Sequence, residues 1–450
     1  MNEVNAREKQ AELLQWLGDH NQRAILEYLK DWHPADIADL FYQLQIEDRQ
    51  YILSILGNEQ SANVLLELEE EDRAELLDNL TATQIAQDVI IEMDTDDAAD
   101  VISELSDDKK KEVISQIEDS EHAKDIVDLL RYDEDTAGGL MGKELVMVYN
   151  SWNVIRAVRE MRRQAEYMEE VYSVYVVDDD QKLLGILSLK KLLTTSSNTI
   201  VNDVYNPKFR AVAVTDSAES VALDIQKYDL YEVPVIDELG KLVGRITVDD
   251  VIDVIREEAE KDYQLASGIS QDVGIEDSIW SLTRARLPWL LIGVAGSLVS
   301  SRILDGNLDA MEAVPMLILF IPLIAATAGN MGVQSSAIVV QALASGSMKR
   351  TLGQNLSKEV LIGILNGIAL ALVLFAFSAI FYDNYLAAAT ISVSLFAVIV
   401  VAAIVGTTIP LFLEKKGIDP AIATGPFITT SNDVIGISIY FLVAKLMLGI

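Results

Sequence analysis

The chain has 450 residues, half of them hydrophobic, with a formal net charge of −35 and no cysteine. That length allows two to four domains, and the lack of cysteine excludes disulfides, thiolate metal sites and cysteine nucleophiles. With only three histidines, a multi-imidazole transition-metal site is not expected, whereas carboxylate and carbonyl oxygens suited to hard cations are abundant. The charge is unevenly placed. Residues 278–450 hold nine basic and eight acidic residues, whereas the first 277 hold 26 and 62. Such a region repels nucleic acid and attracts cations, so no nucleic-acid partner is expected. The start, MNEVNAREKQAELLQWL, has no long apolar run before a small-residue cleavage site, so the acidic part is expected in the cytoplasm.

In chain order, residues 1–130 read as short amphipathic helices. The triads Glu47-Asp48-Arg49 and Glu71-Asp72-Arg73 stand 24 residues apart, and Asp107-Asp108-Lys109 follows 36 later. A period near 12 predicts a small helical solenoid, with an irregular helical bundle as the alternative.

Residues 131–256 change to alternating strand and helix patterns. Tyr175–Ser188 and Val233–Thr247 are similar units about 59 residues apart, each a strand, an acidic turn and a strand with glycine (Gly185, Gly244) three residues before its Ser/Thr end. The pair resembles tandem cystathionine-β-synthase (CBS) domains. Residues 257–284 continue a charged, helical connector that begins at Val248, with acids over most of its surface.

Beyond Leu287 come five apolar stretches, near 287–304, 313–345, 360–381, 385–413 and 420–448, each long enough to cross a bilayer. Arg284, Arg286, Lys349, Arg350, Lys358, Lys415 and Lys416 flank alternate loops, which predicts a cytoplasmic N-terminus and an extracytoplasmic C-terminus; Arg302 alone is misplaced. Asp433 lies inside the fifth stretch, and Lys445 is twelve residues away on the same helix. A carboxylate there costs at least ~2.5–3.5 kcal/mol on insertion scales, so a cation path is expected of it, with two copies on a dimer axis forming a carboxylate ring. No nucleophile–base pair or phosphate-binding glycine loop appears, so transport rather than catalysis is expected.

Two segments carry a wider resemblance: Ala328-Gly329-Asn330-Met331-Gly332-Val333-Gln334-Ser335 and Gly425-Pro426-Phe427-Ile428-Thr429-Thr430-Ser431-Asn432-Asp433. With the acidic helical N-domain, CBS pair, connector and five spans, they resemble the MgtE magnesium channels and transporters over essentially the whole chain. The resemblance implies a multidomain protein: an all-α, solenoid-like N-domain (1–130), an α/β CBS pair (131–256), a connecting plug helix (257–284) and an all-α five-helix transmembrane domain (285–450). It further implies a homodimer in the lipid bilayer of the cell membrane, passing Mg²⁺ and closed by intracellular Mg²⁺. The pore residues it implies are Asp433, Asn330, Gln334 and Glu312. The sensor acids are Glu219, Asp229, Asp250, Asp253, Glu258 and Asp262.

CBS pairs also hold adenosine nucleotides. The second unit keeps Thr247 with Asp250 as the residues that would contact ATP, whereas the first has Lys191 where the ribose-binding acid would stand. The alternative function is CBS-regulated transport of another divalent cation (Co²⁺, Mn²⁺) or another solute.

Overall fold

The structure, a computed structural model, describes residues 12–449 except 169, 271, 272, 275, 276, 346, 347 and 349–351. Two of the flanking cations, Lys349 and Arg350, thus lie outside the described residues. The chain divides into two compact units, Met1–Val254 and Ile255–Ile450.

In the first unit, helical segments begin at Gln22, Pro34, Ile46, Asn58, Glu70, Ala82, Thr95, Asp107 and Ser120, twelve or thirteen residues apart. Side-chain caps start several of them: Asn21, His33, Asp119, and a capping box of Thr81 with Gln84. The repeated triads explain the stacking. Arg49 reaches Asp72 of the next triad at 2.6 Å, Arg73 grips Glu104, and Lys109 donates to the Leu77 carbonyl at 2.8 Å. Each triad's basic residue therefore ties its helix to another repeat, while Ile52, Leu65, Leu77 and Val101 fill the interior.

Two three-stranded sheets follow. The first is β1 (Met147–Tyr149), β2 (Ser173–Val177) and β3 (Leu183–Ser188); the second is β4 (Val212–Ala213), β5 (Glu232–Ile236) and β6 (Leu242–Thr247). Both place a parallel pair beside an antiparallel hairpin with a register shift at the same point, Val176/Val177 and Val235/Ile236. The repeated glycines have a steric reason. A Cβ on Gly185 would overlap the Asn206 carbonyl and the Tyr205 ring, and one on Gly244 would sit 2.7 Å from Met141 Sδ. The second sheet shares one apolar core with the N-terminal helices, whereas the first encloses its own around Val148, Val174 and Leu187.

Among the described residues the charged connector is helical over Val248–Ala266, and helix resumes at Ile279 as the start of the first span. The connector helix stops short of 284 because Gly268 takes φ +81, a left-handed conformation that ends helices. Among the described residues the second unit holds five helices long and apolar enough to span a membrane: Ile279–Asp305, Met316–Ala344, Gly353–Phe381, Tyr385–Glu414 and Gly425–Leu448. The second, fourth and fifth share a core built on Ile324, Ile391, Val398 and Tyr440. Tyr440 spends its hydroxyl on the Leu317 carbonyl at 2.8 Å, as a phenol buried among apolar helices must.

Candidate functional site

Within the second unit, polar groups gather where the second and fifth spans cross. Gly329 presents bare backbone to the fifth span, so that Thr429 packs 3.1 Å from where a Cβ would stand and Asp433 Oδ1 lies 3.8 Å away. Asp433 is therefore beside the turn that carries Asn330. Asn330 and Gln334, four residues apart, both lie on an exposed face of the second span. Glu312 is exposed on a separate short helix, Leu308–Ala313, between the first two spans. Asp433, Asn330 and Gln334 thus belong to one neighbourhood, and Glu312 is placed elsewhere.

A second carboxylate escaped the sequence reading. Glu359 is buried in the third span and accepts a hydrogen bond from Ser335 Oγ at 3.1 Å. Starting that span at 360 had left it in the loop with Lys358, but the helix begins at Leu352.

The connector meets the foot of the fifth span at two glycines. Gly425 (φ +53) lies so close to the Ala266 carbonyl that a Cβ would overlap it, and a Cβ on Gly268 would be 2.5 Å from Pro426. Beside this junction Asp262 has a raised pKa, from burial first and then from Asp419 and Glu258. Glu258 is paired with Lys261 at 3.0 Å.

In the first unit the acids converge more closely. Carboxylate oxygens of Asp94, Asp96 and Glu144 lie within 4.8 Å of one another. Glu144 is fixed by Thr95, which donates its backbone N–H at 3.1 Å and its hydroxyl at 2.9 Å. Asp96 Oδ1 is buried without a hydrogen-bond partner. Burial, then Asp250, then Asp97, hold the Asp96 carboxyl well above the ordinary range. Burial and Asp250 push Asp97 up to about 7. Asp250, raised by burial, accepts from the Thr247 N–H at 2.9 Å and hydroxyl at 2.6 Å.

Of the expected sensor acids, then, only Asp250 enters this cluster. Asp253, Glu219 and Asp229 are exposed, with Glu219 in the first turn of Ala218–Tyr228 and Asp229 at its left-handed C-cap. Asp94, Asp96, Asp97 and Glu144 were missed, although the run Asp94-Thr95-Asp96-Asp97 is dense enough in acid to have drawn notice. Thr247 is engaged with Asp250. A cavity of about 560 Å³ is lined by residues of both CBS units, Ser188 and Lys191 from the first and Tyr205, Lys208, Arg210 and Glu232 from the second among others.

Three family models match in the same order as the fold. "MgtE intracellular N domain" matches residues 32–135, "CBS domain" matches 137–198 and 201–257, and "Divalent cation transporter" matches 321–443. The chain is 34% identical to the magnesium transporter MgtE of Thermus thermophilus, covering 96% of this chain and 97% of that one. It is 36% identical to that of Enterococcus faecalis, covering 100% and 99%. Among solved structures it resembles the soluble part of a magnesium transporter, at 33% identity and TM-score 0.50, covering 56% of this chain and 99% of that one. The cytosolic domain of the Mg²⁺ channel MgtE in complex with ATP matches at 36% identity and TM-score 0.51, covering 54% and 98%. Likeness at this level over nearly the full length of both relatives, with the three family models in the order of the fold, means that this chain belongs to the MgtE family of magnesium transporters, which are transport proteins rather than enzymes.

Proposed function

We propose that this protein is a homodimeric, Mg²⁺-selective channel of the cell membrane, closed by Mg²⁺ bound to its cytosolic acids. The observation that carries the reading is Asp433, a carboxylate inside an apolar span, lodged at the Gly329 notch beside the exposed amides Asn330 and Gln334. Polar side chains on the outer face of a membrane helix need water or a partner subunit. Two copies about a two-fold axis supply both, enclosing a path between ten helices.

Mg²⁺ releases its inner waters reluctantly. In this reading the paired carboxylates attract the hydrated ion, while the amides accept and donate hydrogen bonds to its water shell. Arg284, Arg286, Lys358, Lys415 and Lys416 support a cytoplasmic N-terminus by the positive-inside rule.

Closure follows from the acid cluster. Oxygens up to 4.8 Å apart compare with ~4.2 Å across a Mg²⁺ octahedron, so a partly hydrated ion could bridge Asp94, Asp96 and Glu144 with little movement. Asp97 and Asp250 add charge beside it. The ion is bound only where these carboxylates are brought together, so binding favours that arrangement by linkage. Asp250 sits in the first turn of the connector helix, and the far end of that helix packs on Gly425 and Pro426 at the foot of the fifth span. Asp262 with Asp419 forms a second acidic pair there, and Asp253, Glu258, Glu219 and Asp229 are further ligands in this scheme. Glu312 would attract ions at the outer mouth. The cavity of Ser188, Lys191 and Lys208 is the place for a nucleotide such as ATP, its lysines facing the phosphates; Thr247, held by Asp250, would contribute less.

Reconstituted in liposomes, the protein is expected to pass Mg²⁺ down its gradient without ATP or a coupled ion, and to have the mass of a dimer. Flux that required a proton or sodium gradient would remove the channel reading, and a functional monomer would remove the axial pore.

A further inference from the structure

The fifth span is seated in notches cut by glycines of its neighbours. A Cβ on Gly296 of the first span would overlap Thr430 Cγ2, and one on Gly332 of the second span would overlap Asn432 Nδ2. Gly332 has no room on its other side either, because a Cβ on Gly406 of the fourth span would overlap the Gly332 carbonyl oxygen. Three helices thus meet at the point where the Asn432 carboxamide lies on Gly332.

Asn432 is 1% exposed, and neither its Oδ1 nor its Nδ2 has a hydrogen-bond partner. Leaving a buried polar group unpaired costs free energy that an apolar side chain of similar size would not, so apolar packing does not explain an asparagine here. Shape does. A carboxamide is flat and can lie against bare backbone, where the branched methyls of leucine or isoleucine are too thick. It is also uncharged, unlike the isosteric aspartate. Adjacent residues on a helix point about 100° apart, so keying Asn432 onto Gly332 turns Asp433 toward Gly329 and Asn330.

We propose that Asn432 is a positioning residue for the ion path: its carboxamide, keyed onto Gly332, sets the rotation of the fifth span, hence the aim of the Asp433 carboxylate, hence discrimination among divalent ions. The inference rests on Asp433 being the pore carboxylate.

The test measures Mg²⁺ and Ca²⁺ flux through the full-length protein in liposomes, with thermal unfolding of the detergent-solubilised protein as the control for folding. Gly332→Ala pushes the amide off its seat and is expected to change the Mg²⁺:Ca²⁺ flux ratio by about tenfold, within the up to hundredfold effect of a ~1 Å misplacement. Adding Asn432→Ala to Gly332→Ala makes room for the new methyl, with a small shift of Ile428, and is expected to restore the ratio to within about threefold of wild type. A purely structural role would move the unfolding temperature and the amount of protein but leave the ratio alone; that outcome, or failure of the second substitution to restore it, overturns the proposal. Should Gly332→Ala not fold, Asn432→Ala alone decides: it leaves the seat on Gly332 empty, which the double variant refills with the new methyl at position 332, so the ratio must shift and an unchanged ratio refutes the proposal. Asp433→Ala, measured alongside, separates the two ideas. Persisting flux there refutes the pore assignment, whereas lost flux with an unaltered ratio in the Gly332 and Asn432 variants refutes only the positioning role.

Discussion

Asp433→Ala is expected to abolish Mg²⁺ flux, lowering it by more than about a hundredfold, while the protein still folds and inserts. A unit charge about 5 Å from a dication attracts it by roughly 6–7 kcal/mol at an effective dielectric constant near 20, and a dimer presents two such charges. Losing both leaves the ion nothing to offset the water it sheds or reorders on entering the span. Asp433→Asn keeps the shape and removes only the charge, so it is expected to lose nearly as much. Stability should move the other way, since a carboxylate in a span costs at least ~2.5–3.5 kcal/mol that alanine does not. Stopped-flow dye quenching in liposomes measures the first effect and thermal unfolding in detergent the second. Higher stability with lost flux marks a functional carboxylate, whereas lower stability with retained flux marks a structural one.

The second large effect concerns protons. Asp97 has its pKa pushed from 3.8 up to about 7, and Asp96 and Asp250 are raised as well. A carboxylate whose folded-state pKa exceeds its unfolded value binds more protons when folded, so its contribution to stability is present at low pH and is lost as pH climbs from about 4 toward 7. Without divalent ions, the clustered arrangement is therefore expected to weaken over that window. Mg²⁺ must displace the same protons, so its affinity should rise with pH up to about 7, by roughly tenfold per pH unit for each proton released. Isothermal titration in buffers of different ionisation enthalpy counts those protons. For Asp96→Asn with Asp97→Asn we expect the Mg²⁺ response to collapse, with little pH dependence left. Proton release equal to that of the unaltered protein would mean that the ion binds elsewhere.

The sequence already carried most of the architecture, because its signals are local. The twelve-residue period, the paired strand–turn–strand units with Gly185 and Gly244, and five apolar stretches each record a constraint on neighbouring residues. Asp433 was legible for the same reason, as an acid in an apolar run stands out without knowledge of its partners. What stayed hidden depends on contacts between distant segments. Glu144 meets Asp96 across 48 residues, and only the fold reveals that Thr95 holds it there. Glu359 was masked by Lys358 beside it, since a Lys-Glu pair reads as loop until the helix is seen to start at Leu352. The connector ended earlier than its charge pattern suggested, because helical periodicity says nothing about the left-handed Gly268. Asn432 looked like one more polar residue in a motif. Its importance comes from Gly332, a hundred residues earlier, and from Gly406 behind that.

One ion is asked to be both cargo and closing signal, and recording from single proteins in a planar bilayer, with Mg²⁺ perfused separately on each face, tests that most directly. Raising Mg²⁺ on the face bearing the N-terminal unit should lower the open probability without changing the unitary current, and Asp96→Asn with Asp97→Asn should abolish the effect. Openings indifferent to Mg²⁺ on that face, or equally sensitive from both faces, would contradict closure by the acid cluster.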